Sequence, residues 1–141
     1  DKSVSALRAA AMLSHAYAEA TTVKISVVTG KACGAIFACV ASKSAQADLV
    51  LALDNSVISV IDPEAAALTL MSDRREKGES LEALAKEYEK ENCSPNLAAA
   101  DGFIDDVATI SELRGKLISA LDMLSGKRVS GLDKKHSNMP L

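Results

Sequence analysis

Tryptophan is absent from this 141-residue sequence, and only two tyrosines and two phenylalanines are present. A core must therefore be assembled from Ala, Leu, Val and Ile, and small side chains let elements approach closely. Hydrophobic residues still make up 48% of the chain, enough to bury a core in one domain or in part of a larger one. An excess of positive charge is also missing. The net charge is −3, so no basic field exists to displace phosphate counterions, which argues against a general nucleic-acid binder. The three cysteines, Cys33, Cys39 and Cys93, are odd in number and show no CxxC spacing. That usage suits a reducing compartment better than a disulfide framework. No apolar run approaches membrane-spanning length, and the first residues show neither the charged nor the apolar region of a signal peptide. The expectation is a cytoplasmic protein. There is no repeat at solenoid spacing and no low-complexity segment. The only histidines are His15 and His136, and no convincing catalytic constellation or metal site emerges.

What is present centres on Val23–Lys43, VKISVVTGKACGAIFACVASK. Val23, Ile25 and Val27 alternate with Lys24 and Ser26, and Val28 extends the run, which predicts a strand. Gly30 and Gly34 break it. Ala35 to Ala41 then turn apolar and small, predicting a short helix from about Ala35 to Ser42. A strand, a glycine turn and a helix start aim backbone N–H groups at one point. The first amides of a helix lack intrahelical partners, and the macrodipole favours negative charge there. On the residues alone this is also how a plain strand-to-helix turn reads.

Around it, Ser3–Ala20 reads as a helix, with Leu7, Ala10, Ala11, Leu13, Tyr17 and Ala20 at helical spacing. Asp48–Leu53 is mostly continuous apolar, as a strand buried on both faces would be. Asp54-Asn55 is a turn signal, and Val57–Ile61 is another strand. Asp62-Pro63-Glu64 starts a helix through about Met71, with Asp as N-cap and Pro at the first helical position. Ser72–Gly78 is charged and exposed. Ser80–Asn92 is a surface helix with Leu81, Leu84, Ala85 and Tyr88 on one stripe. Ser94-Pro95 opens a short helix that Gly102 stops, and Phe103–Val107 is strand-like. Ile110–Leu124 is strongly amphipathic, with Ile110, Leu113, Leu117, Leu121 and Leu124 on one face, marking core or a subunit interface. Gly126–Leu141 is a basic extension. The order is that of an α/β protein with three or four strands, thin for so much helix.

Several of these segments resemble one family, in the right order and spacing. AMLSHAYAEATTVKISVVTGKACGAIFACVASKSAQADLVLALDNSVISVIDPEAA, SPNLAAADGFIDDVATISELRGKLISALDML and the terminal KKHSNMPL are similar to the carboxyltransferase β subunits of biotin-dependent acyl-CoA carboxylases and decarboxylases. Propionyl-CoA carboxylase β subunits are among them. The resemblance implies an α/β, crotonase-like fold, with residues 1–141 forming the C-terminal, biotin-facing portion of a carboxyltransferase domain and a missing N-terminal half. It implies carboxyl transfer between carboxybiotin and an acyl-CoA, with biotin on a separate carrier protein, and a homo-oligomer. Catalysis in that family needs no side-chain base, only geometry and oxyanion holes.

By the resemblance, KACGAIF lies on the family's KxYGGAY. Gly34 matches the first glycine, Ala35 the second and Ile36 the alanine. The biotin-side oxyanion hole would be the backbone N–H groups of Ala35 and Ile36, with Gly34 completing the turn, and Ala38 falls where the family places a residue that influences substrate choice. The chain departs from the pattern at Cys33, which replaces an aromatic, and at Asp62 and Ala65, which stand at glycine positions. If the second glycine needs positive φ, Ala35 is strained, and Ile36 narrows the site. Two other readings remain: a non-catalytic crotonase-like assembly module with a drifted oxyanion loop, and another crotonase-like acyl-CoA enzyme such as a hydratase. Beside the turn, Cys33 reads as packing rather than a nucleophile. Glu64 reads as part of a helix start, Asp105 and Asp106 as turn or surface acids, and His15 as a helix-face residue.

Overall fold

The computed structural model describes residues 2–129. Two small parallel sheets carry the architecture. β1 (Ile25–Val28), β3 (Leu49–Leu53) and β5 (Asp106–Ala108) form one sheet in the order β1-β3-β5, while β2 (Lys31–Cys33) pairs with β4 (Val57–Ser59) in the other. Parallel strands need crossover connections, and these are helical. The described residues thus hold five short strands rather than three or four.

Register sets the faces. Ile25 lies beside Leu49, Val27 beside Leu51 and Val28 beside Ala52, so alternate residues of neighbouring strands share a side. Val50 and Ala52 are fully buried, and with Val28, Ala32, Phe37, Ile58 and Ile104 they form the main core. Leu51, 2% exposed, faces the other way, toward α7 (Ile110–Leu124). The DLVLAL run reads as continuous apolar because both its faces are covered.

Helix starts follow local chemistry. Asp62 caps α3 (Pro63–Thr69), its carboxylate accepting from the Glu64 amide at 3.0 Å. Ser80 caps α5 (Leu81–Asn92) and Ser94 caps α6 (Pro95–Ala100), each accepting an amide three residues on at 3.2 Å. Thr109 and Glu112 form a reciprocal capping box at the start of α7. Ala66 and Ala67 of α3 are fully buried, and this lack of bulk lets Leu84 of α5 pack closely against that helix.

The remaining elements depart from the sequence pattern in places. α1 (Lys2–Glu19) and α7 fall where periodicity puts them. α2 (Ala35–Cys39) is shorter than expected, ending before a 3-10 turn at Lys43–Ala45. β4 ends at Ser59 rather than at residue 61. The charged stretch after residue 71 forms a short helix, α4 (Ser72–Glu76), because Arg74 forks to Glu79 and to Glu87 of α5. Asp105 is tied down: one carboxylate oxygen accepts from the Val50 amide at 2.9 Å and the other meets Lys43. Asp106 pairs with Lys116, tying β5 to α7. The apolar stripe of α7 is mainly outside the core, with Ile110 73% and Leu121 54% exposed. The expected basic extension lies outside the described residues beyond 129.

Lys127, just past α7, donates to Asp48 at 2.8 Å and to the Thr22 carbonyl at 2.9 Å, and Asp48 also accepts from the Lys24 amide at 2.7 Å. Burial pushes the Asp48 carboxyl up, but the Lys127 ammonium and the Lys24 amide outweigh it and hold the group below its ordinary value of 3.8. A depressed carboxyl stabilises the fold above its unfolded value and loses that contribution as pH falls through the folded one. Asp48→Asn should destabilise the protein at neutral pH by about 1–3 kcal/mol and flatten the loss of stability below pH 3.8, read by urea denaturation across pH. Leu51→Ala should cost about 2–5 kcal/mol by the same method, independently of pH.

Candidate functional site

Cys33 ends β2 and Ala35 begins α2, leaving one residue, Gly34, to reverse the chain. Gly34 does so at φ 59° and ψ −121°, the first central conformation of a type II′ turn, which residues with a Cβ rarely adopt. Its amide donates to the Ser59 carbonyl of β4 at 3.3 Å, and its carbonyl accepts from the Ala38 amide at 3.0 Å. The turn is therefore anchored on both sides, to the neighbouring strand and to the helix it starts.

The amides of Ala35 and Ile36 are the first two of α2, and neither finds an acceptor among the described residues. Both residues are exposed. The positive φ falls on Gly34, so Ala35 carries no backbone strain: among the described non-glycine residues only Gln46 has positive φ. Ala38 is exposed on the same helix and lines neither concavity described below.

Two concavities flank this helix start. A cleft of about 450 Å³ is lined by Ser26, Val28 and Gly30 on the strand side and by Ile36 and Val40 on the helix side. The Ile36 side chain is 56% exposed, so it narrows the cleft without filling it. On the other side a pocket of about 190 Å³ takes in Phe37, Ser59 and Val60 together with residues of α5 and α6.

Charge around the turn is paired. Lys31 reaches Asp62 at 3.0 Å, which joins the start of β2 to the cap of α3 and holds the Asp62 carboxyl below its ordinary value. Asp62 thus serves as cap and counter-ion. Burial pushes the Cys33 thiol up and outweighs the opposing pull of Lys31, the direction expected of a packing residue. Cys93 is buried and raised for the same reason. Glu64 sits in the first turn of α3 as a helix start provides. His15 lies on α1 with a buried Nε2 that has no partner among the described residues, and it lines neither concavity. Among the described residues no group of three or more His, Cys, Asp or Glu is arranged to hold a metal, and no helix is long and apolar enough to cross a membrane.

Sequence reasoning missed the Ser59 carbonyl that anchors Gly34, and the contribution of Tyr88, Asn92 and Asp101 to the smaller pocket. The first depends on β2–β4 register and the second on α5 and α6 folding back, and neither leaves a local mark.

A parallel-stranded core with helical crossovers and a glycine-anchored helix start is an α/β arrangement that agrees with the expected crotonase-like fold. Its solved relatives agree. The transcarboxylase 12S crystal structure with methylmalonyl-coenzyme A and methylmalonic acid bound superposes with a TM-score of 0.82 at 36% identity, over 96% of this chain and 26% of that one. The β subunit of P. aeruginosa geranyl-CoA carboxylase, at 18% identity and a TM-score of 0.62, shares the fold. Residues 3–139 match the Carboxyl transferase domain, and the chain belongs to that family. The propionyl-CoA carboxylase carboxyltransferase subunit of Haloferax mediterranei is 40% identical over 139 residues, covering 96% of this chain and 27% of the relative. The methylmalonyl-CoA carboxyltransferase 12S subunit of Propionibacterium freudenreichii subsp. shermanii is 34% identical, over 95% of this chain and 26% of that subunit. The chain thus spans about a quarter of the length of the curated relatives it matches.

Gly34→Ala should destabilise the protein by about 1–3 kcal/mol through backbone strain alone, since an added Cβ would meet nothing within 4 Å. Gly30→Ala meets nothing either and needs no positive φ, so it should be close to neutral. Thermal unfolding of the two variants checks the contrast.

Proposed function

We propose that this chain is the biotin-facing, C-terminal portion of a carboxyltransferase that moves a carboxyl group between carboxybiotin and an acyl-CoA. The observation that carries this reading is the Gly34 turn, which leaves the Ala35 and Ile36 amides unpartnered between two concavities. Two fixed N–H donors at a helix start suit an oxygen that gains negative charge, and they need no reorganisation when that charge develops. That arrangement fits the ureido oxygen of biotin.

Biotin, on a separate carrier protein, supplies both the carboxyl group and the base for the acyl α-carbon. The part of this chain is to position. The amides of Ala35 and Ile36 donate to the ureido oxygen, and Gly34 holds the two in register through its bonds to Ser59 and Ala38. Ile36 limits the width of the cleft. Ala38, three residues past Ala35 in α2, bears on the choice of acyl group. The thioester-binding half comes from the part of the polypeptide that the longer relatives possess. A cytoplasmic location, a ligase role as a carboxylase component and a homo-oligomer complete the proposal. The hexamer assembly named for the 12S transcarboxylase supports the last, as does the exposed apolar stripe of α7. A non-catalytic assembly module would call for amides consumed by internal bonds, so the free donors favour the enzyme.

The test is carboxyl transfer by this chain assembled with the remaining portion of a carboxyltransferase subunit, biotinylated carrier and acyl-CoA. Ala35→Pro removes one donor at the first helical position, where proline is accepted. It should lower the rate by about 10²–10³-fold with the far-ultraviolet circular dichroism unchanged. Unchanged transfer in a folded Ala35→Pro protein contradicts the assignment.

A further inference from the structure

One face of α7 has no cover among the described residues. A shallow groove of about 320 Å³ is lined by Ile110, Leu113, Arg114, Leu117, Ile118 and Leu121, all from that helix. Ile110, Ile118 and Leu121 are each more than half exposed. The helix packs on β3 and β5 by another side, where Ala120 is buried. Its 15 residues give the face a length of about 22 Å.

Two charges mark this face. Arg114 lies among the apolar residues of the groove, and Asp122 stands beyond it in the last turn of the helix. Both are exposed, and neither side chain has an ion-pair partner among the described residues: Asp122 offers only its backbone carbonyl, to Ser125. Arg114, Ile118 and Asp122 are spaced by four and so follow one row along the helix. Asp122 sits at the negative end of the helix dipole, where a carboxylate is disfavoured until a cation meets it, and α7 has no basic residue in its last turn. A purely apolar cover would strand the Arg114 guanidinium without an acceptor. The cover that fits brings a carboxylate to Arg114 and a cation to Asp122. A second α7 does both. Laid antiparallel about a two-fold axis at Ile118, it sets residue 122 opposite residue 114 twice over, because the two lie equally far from 118.

We propose that α7 pairs antiparallel with α7 of a second copy of this chain, about a two-fold axis at Ile118, with two Arg114–Asp122 ion pairs flanking a seam of Leu117, Ile118 and Leu121. Each copy presents the same patch, so the contact closes at two copies. The inference gives a surface to the homo-oligomer proposed above; it rests on that part of the reading and not on the biotin chemistry. A single pair of helices lies at the low end of interface sizes, so the association is weak and the charges set its register.

Sedimentation equilibrium of the full chain across the micromolar range reads the association. The expected result is a monomer–dimer equilibrium that added salt weakens. Arg114→Asp and Asp122→Arg each set like charges opposite one another and should weaken it at least about tenfold. Both positions are exposed, so the far-ultraviolet circular dichroism should not change. Mixed in equal amounts, the two variants regain both opposite-charge contacts in a heterodimer, and the mixture should associate about as tightly as the unaltered chain. An unaltered chain that stays monomeric, single variants that associate as it does, or a mixture no tighter than the separate variants overturns the inference. The last result also moves any self-association to another surface and leaves the α7 face to a different partner. None of these outcomes bears on carboxyl transfer, which the assembled enzyme reports separately.

Discussion

The catalytic role proposed for this molecule depends on one backbone conformation, that of Gly34 at φ 59° and ψ −121°. A strand running into a helix must reverse direction, and here one residue does so. Because that residue lacks a Cβ, the turn is tight enough for its amide to bond the Ser59 carbonyl and its carbonyl to accept from Ala38. Both of its polar groups are thereby used. The two amides that follow are left without acceptors and are held at a fixed point by the strand below and the helix behind. A looser turn would lengthen the connection and let the first amides of α2 swing or fold back on the chain.

The rest of the fold serves to hold that point still. Ala32 and Phe37, the buried residues on either side of the turn, sit in one core with Val50, Ala52 and Ile58. The strand partner that accepts from Gly34 is itself pinned, since the Ile58 amide donates to the Cys93 carbonyl at 2.9 Å. Lys31 and Asp62 join the entry to β2 with the cap of α3. Small side chains matter throughout. Ala32, Ala52, Ala66 and Ala67 are buried almost completely, and their lack of bulk lets short strands and helices pack at close range without large aromatics.

How much of this could be read in advance depends on how local the cause is. Asp62-Pro63 and Ser94-Pro95 announce their helices because cap and first turn are adjacent in sequence, and Ile110–Leu124 announces itself by fifteen residues of periodicity. β2 left no such trace: three residues cannot show an alternation, and Lys31–Cys33 is a strand only because β4 lies beside it. α4 was hidden because its stability comes from Arg74 reaching two glutamates, one of them in the next helix, and not from an apolar face. The turn itself was legible, as was the helix start behind it. Which residue takes the positive φ was not, because a glycine followed by a small residue allows either. Nor was the smaller pocket, whose Tyr88, Asn92 and Asp101 converge on Phe37 only after two helices fold back across the end of β4.

The most direct measurement of the central claim is a crystal structure of the assembled protein with biotin bound. The account predicts the ureido oxygen within about 2.7–3.1 Å of both the Ala35 and Ile36 nitrogens, with Gly34 still at positive φ and still bonded to Ser59. A ureido oxygen bound elsewhere, or Ala35 and Ile36 amides satisfied by the chain itself in that complex, would contradict it.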